Sequence, residues 1–148
     1  MSFVGRAVRL GVGLGLVGSL GLVGVAGATS ADAAAYAKYS TSFGASYSVL
    51  GHKLSSMTGS TPKSAVRADM KEGLAIGNRF IGSLRGHRWA KSAAGPVKVL
   101  IADVARVDGD FKTGMVFTNL TSAWEKKFLA DLHRLELQGA VVGAVVRK

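Results

Sequence analysis

The chain has 148 residues, a formal net charge of +10 and no cysteine, which leaves room for one domain built around a single core. The missing cysteine excludes disulfides, thiolate chemistry and lipid attachment through an N-terminal cysteine. The charge is uneven: residues 36 to 98 carry ten Lys/Arg against only Asp69 and Glu72, whereas residues 99 to 148 carry seven against six.

The N-terminus has the three parts of an export signal in order. Arg6 and Arg9 supply a positive start. Leu10 to Ala28 follows without a charge and with seven glycines. Ala31-Asp32-Ala33 and Ala33-Ala34-Ala35 then present the small residues a signal peptidase accepts. The pattern predicts a signal peptide over residues 1–35, cut near Ala33 to Ala35, and a secreted or extracytoplasmic domain over residues 36–148. The alternative is an uncleaved N-terminal helix anchoring the protein to a membrane, since 19 apolar residues just reach across a bilayer. No second apolar run is long enough to span, so the mature chain is expected to have no transmembrane domain. Gly13-Leu14-Gly15-Leu16-Val17-Gly18 matches the dinucleotide-binding pattern, but inside an export signal it lacks the strand and helix that give the pattern its meaning.

Residues 36 to 57 read as the first helix. Tyr36, Phe43, Tyr47, Leu50, Leu54 and Met57 form a seam at helical spacing, with Ser40 in the vacant slot. A short strand through Phe43 to Val49 is the competing reading. Thr58-Gly59-Ser60-Thr61-Pro62 breaks the chain, with Thr61 suited to an N-cap and Pro62 to the first helical position. The second helix runs to about Leu84, with Val66, Met70, Leu74, Phe80 or Ile81, and Leu84 as its apolar face. Gly73 and Gly77, then Gly82 and Gly86, repeat every four residues, a pattern of close helix approach or of a dimer face.

A polar connection from Arg85 to Gly95 leads to a third helix opening at Pro96, with Val97, Leu100, Ile101, Val104, Val107 and Phe111 on one side. Asp108-Gly109-Asp110 is expected to fray it. Ser122 and Glu125 form a capping box for the fourth helix. Trp124, Phe128, Leu132, Leu135, Val142 and Val146 follow on one face, with Gly139 in the gap. Four helices with short links predict an all-α fold, an up-down four-helix bundle.

Phe117, Trp124 opening the last helix, Asp131, and the closing Gly143-Ala144-Val145-Val146-Arg147 give the chain a layout that resembles small exported actinobacterial helical-bundle proteins of unassigned function. The resemblance covers the whole chain in layout and implies a helical bundle at an exported location. It carries over no catalytic residue.

Arg85-Gly86-His87-Arg88-Trp89-Ala90-Lys91 places three cations, an imidazole and an indole within seven residues. Guanidinium groups hold phosphate or carboxylate through paired hydrogen bonds, and Trp adds a flat amphipathic surface. Lys63, Arg67 and Lys71 add a basic stripe at i, i+4 and i+8 on the preceding helix. Together they are the candidate anion-binding residues, with an anionic polymer or a membrane surface as the expected partner and nucleic acid, though chemically suited, not expected. A solvated face with Trp89 tucked against the bundle is the plain alternative.

His52, His87 and His133 share no metal-ligand spacing, although His133 and Glu136 lie at i and i+3, and Tyr47 with His52 could meet a haem if the fold joined them. A metal- or haem-binding carrier is therefore a second reading, and no cofactor is assigned. A homo-oligomeric structural protein packing through the glycine-spaced helix is a third. Asp103, Asp108 and Asp110 cluster as carboxylate pairs can for acid–base work, but their spacing suggests a solvent-facing helix edge. Serines occur without a nucleophile elbow. Asn119-Leu120-Thr121 is a sequon with meaning only in a eukaryotic secretory pathway. The expected function is non-catalytic binding of anionic envelope components through the basic half.

Overall fold

The computed structural model describes residues 30–116 and 120–148. The leader up to position 29, with the Gly13–Gly18 motif, lies outside the described residues, as do Phe117 and the sequon's Asn119. Four helices follow one another: α1 (Ala31–Ser55), α2 (Lys63–Gly86), α3 (Lys91–Val116) and α4 (Ser122–Val146). None of the described helices is long and apolar enough to cross a membrane.

Each helix packs on the next, and α4 returns to α1, closing an all-α ring. Neighbours run antiparallel. Lys53, near the end of α1, pairs with Glu72 in the first half of α2. Asp110 in α3 meets Lys127 in α4, whereas Pro96, earlier in α3, meets Gln138, later in α4. Ser30 and Tyr36 at the start of α1 bond to the carbonyls of Val146 and Gly139 near the end of α4. The bundle is therefore up-down.

The apolar seams are the core. All six seam residues are buried, five in α1 and Met57 just beyond its end, with Ser40, and α4 buries Trp124, Phe128, Leu132, Leu135, Val142 and Val146. Both Phe80 and Ile81 of α2 face inward. Phe43 stacks on Phe80 with centroids 4.2 Å apart, and Trp124 stacks on Phe128 at 4.9 Å. Such ring pairs add about 0.5–1.5 kcal/mol each beyond the area they bury. The vacancy at Gly139 lets the Tyr36 hydroxyl donate to its carbonyl at 2.8 Å.

Several helix ends depart from the sequence reading. α1 begins at Ala31, five residues before Tyr36, because the Ser30 hydroxyl accepts the Ala33 N–H. Pro62, not Thr61, is the N-cap of α2; the Thr61 hydroxyl accepts the Thr58 N–H instead and shapes the turn. α3 opens at Lys91 and carries Pro96 inside, where the carbonyl of Pro96 accepts from the Gln138 amide. Asp108-Gly109-Asp110 does not fray, since α3 continues to Val116. Thr121, one residue before the expected Ser122, caps α4 by accepting the Trp124 N–H.

Gly73 and Gly77 serve close approach within the fold. A Cβ on Gly73 would fall 2.6 Å from the Phe111 ring, and one on Gly77 would overlap the Asp108 carboxylate. Gly82 and Gly86 are exposed and meet nothing within 4 Å.

Candidate functional site

One end of the bundle gathers the start of α1, the α2–α3 connection and the end of α4. Asp32 organises it. Its carboxylate meets the His87 Nε2 at 2.8 Å and accepts the Ala90 N–H at 2.9 Å, so one residue of α1 grips both the last residue of the α2 turn and the residue preceding α3. Burial opposes the ionised form of Asp32, but the hydrogen bonds from Ala90 and His87 and the imidazole's charge outweigh it, holding the carboxyl below its ordinary value. The position is also favoured by the N-terminal dipole of α3. The Trp89 indole donates to the Leu84 carbonyl at 2.7 Å, satisfying a carbonyl at the end of α2. His87 stands edge-on to Trp89 at 4.4 Å and to Tyr39 at 6.4 Å.

The seven-residue basic segment therefore divides. His87 and Trp89 are half-buried and spent on internal contacts. Arg85, Arg88 and Lys91 are exposed and make no hydrogen bond or ion pair to the described residues. α4 delivers Arg147 and Lys148 to the same end, with the Arg147 guanidinium bonded back to the Gly143 carbonyl. This end is a cationic pole whose nearby carboxylate is already occupied.

Lys63, Arg67 and Lys71 are not part of it. All three are exposed, but they line the opening turns of α2, whose last turn holds Arg85. At about 1.5 Å per residue Lys63 stands roughly 33 Å from Arg85 along the axis. The sequence pattern suggested one surface; a straight helix makes it two.

A groove between α3 and α4 was not legible in the sequence. It has a volume of about 580 Å³ and is lined by Val99, Leu137 and Val141 together with Lys98, Arg106, Arg134 and Asp103. These three apolar residues are 49%, 58% and 47% exposed. Lys98 lies seven residues into α3 from Lys91, about 10 Å from the pole. Its components sit some forty residues apart in the chain, so only the antiparallel pairing of α3 with α4 unites them. A second crevice of about 440 Å³ between α1 and α2 has Lys38, Arg79 and three serines around Phe43 and Phe80, both rings being only 4% exposed.

The histidines do not assemble. His52 is exposed on the last turn of α1, His87 is held by Asp32 at the opposite end, and His133 lies 3.7 Å from Glu136 on α4. Tyr47 is fully buried and turned away from the exposed His52 face. Among the described residues no three His, Asp or Glu side chains are placed to hold a metal ion.

The aspartates of α3 correct an expectation. Asp103, Asp108 and Asp110 are 5%, 5% and 3% exposed, not solvent-facing. Burial pushes the Asp108 carboxyl up to about 7, partly offset by Lys112, and one of its oxygens has no hydrogen-bond partner among the described residues. Burial likewise raises Asp110 to about 6, against the opposing hydrogen bond from Lys127. Lys127 also reaches Asp131 at 2.6 Å. Burial opposes ionisation of Asp131, but the hydrogen bonds of Lys127 and Asp110 and the charges of Lys127 and Arg106 together outweigh it and hold the carboxyl below its ordinary value. Perturbed carboxyls often mark catalytic sites. Here Asp108 is packed against the Gly77 backbone and Asp110 is tied to Lys127, so both belong to the helix interfaces.

No family model, curated protein or solved structure matches this chain.

Proposed function

We propose that this is an exported, non-catalytic helical domain that binds an anionic envelope surface through its cationic pole. The carrying observation is the set of three exposed cations, Arg85, Arg88 and Lys91, unpaired among the described residues, beside a carboxylate that His87 and Ala90 already occupy. Among the described residues no carboxylate competes there for an external anion's place. The α3–α4 groove favours membrane headgroups over a purely polar polymer, because cations bordering exposed valine and leucine suit the boundary between headgroup and acyl chain. Localisation rests on the Arg6 to Ala28 pattern.

The test is binding to vesicles of anionic and of zwitterionic lipid. Each basic residue near an anionic surface contributes about 1 kcal/mol at moderate salt. Replacing Arg85, Arg88 and Lys91 by Gln should therefore weaken binding to anionic vesicles on the order of hundredfold, with the melting temperature unchanged and little binding to zwitterionic vesicles by either protein. Parental affinity in the triple variant would leave the pole as ordinary solvated surface.

A further inference from the structure

We infer that the leader is removed between Ala28 and Thr29, upstream of Ala33 to Ala35, so that the working protein begins at Thr29. This rests on the export reading and specifies its processing site. Three Ala-x-Ala triplets close or follow the apolar run: Ala26-Gly27-Ala28 is its last three residues, and Ala31-Asp32-Ala33 and Ala33-Ala34-Ala35 come after it. All three satisfy a signal peptidase, which reads small side chains on an extended chain. The folded domain separates them.

Cleavage after Ala33 or Ala35 discards Ser30 and Asp32. Ser30 caps α1 through the Ala33 N–H and ties that end to the Val146 carbonyl at 3.1 Å. Asp32 is the clasp joining α1 to His87 and Ala90, and without it the half-buried imidazole and the Ala90 N–H lose their partner. Cleavage after Ala35 would also set a new ammonium on Tyr36, a residue only 2% exposed and itself bonded to Gly139. A positive charge there opposes the helix dipole. Ala33 is likewise 2% exposed and part of the core. Ala26-Gly27-Ala28 is the triplet whose use leaves every one of these contacts in the product. Hydrolysis adds water across the Ala28–Thr29 amide, giving a carboxylate on the leader and an ammonium on Thr29, two residues before α1 begins.

Full-length chain expressed in an exporting bacterium, recovered from outside the cytoplasm and weighed intact, provides the test. A mass beginning at Thr29 is expected. Exported chains beginning at Ala34 or Tyr36, or retaining Met1, would overturn the inference while leaving export standing, whereas chain found only in the cytoplasm would overturn the export reading and the inference with it. In a second variant, Ala28→Leu, the Thr29 product should be lost; an undiminished yield of it would sink the assignment without any question of folding.

Discussion

Asp108 shows how much a single side chain depends on its surroundings. Its carboxyl lies against Gly77, with Lys112 on its own helix and buried Tyr47 of α1 as the other polar influences. The Tyr47 hydroxyl has no hydrogen-bond partner among the described residues, and burial, reinforced by Asp108 and Asp110, drives its pKa well above the ordinary value. A carboxyl raised in the folded state favours the protonated fold, so its contribution is complete below about 3.8 and is lost as pH rises through about 7. Asp108→Asn removes this titration and keeps the shape. The variant should gain roughly 2–4 kcal/mol over the parent at pH 8 and almost nothing at pH 4, by urea unfolding at both pH values. Asp110, raised to about 6, leaves some slope behind. A constant difference across this range would mean that Asp108 is ionised at no cost.

At the scale of elements, the glycines of α2 do different jobs although their spacing is uniform. Gly77→Ala would drive a methyl into the Asp108 carboxylate and force α2 away from α3, at about 1–3 kcal/mol. Gly82→Ala meets open space and should stabilise α2 by about 0.5–1 kcal/mol through helix propensity. Urea midpoints of the two variants should therefore move in opposite directions. Equal shifts would show that the α2–α3 contact is looser than described. The four-residue repeat was visible in the sequence, yet which glycine touches a neighbour depends on the register between two helices, and no local pattern encodes that. The helix ends behave alike. Thr121 and Ser122 are both adequate caps, and the choice falls to whichever hydroxyl points at the free N–H once Trp124 is buried.

Over the whole molecule, the two groups of cations lie at opposite ends of a rod. A membrane or polymer engaged by Arg85, Arg88 and Lys91 lies roughly 33 Å from Lys63 along α2, several times the Debye length of about 8 Å at physiological salt. Neutralising Lys63, Arg67 and Lys71 to Gln should leave affinity for anionic vesicles within about twofold, in contrast to the loss expected at the pole. A comparable loss from both triples would favour diffuse attraction by net charge over a defined contact surface.

Helical periodicity by itself determined the four elements, their inward faces and the all-α class, because burying an apolar stripe every three to four residues is a local demand that each segment announces. The charge asymmetry was equally plain from the residues in order. Only the tertiary structure decided what those charges do. Chain direction reverses at every turn, so Lys63 and Arg85 part while Arg147 joins the pole. The α3–α4 groove exists only where two antiparallel faces meet. Asp32, which reads as leader residue in one dimension, becomes a clasp because α1 folds back beside His87 and Ala90.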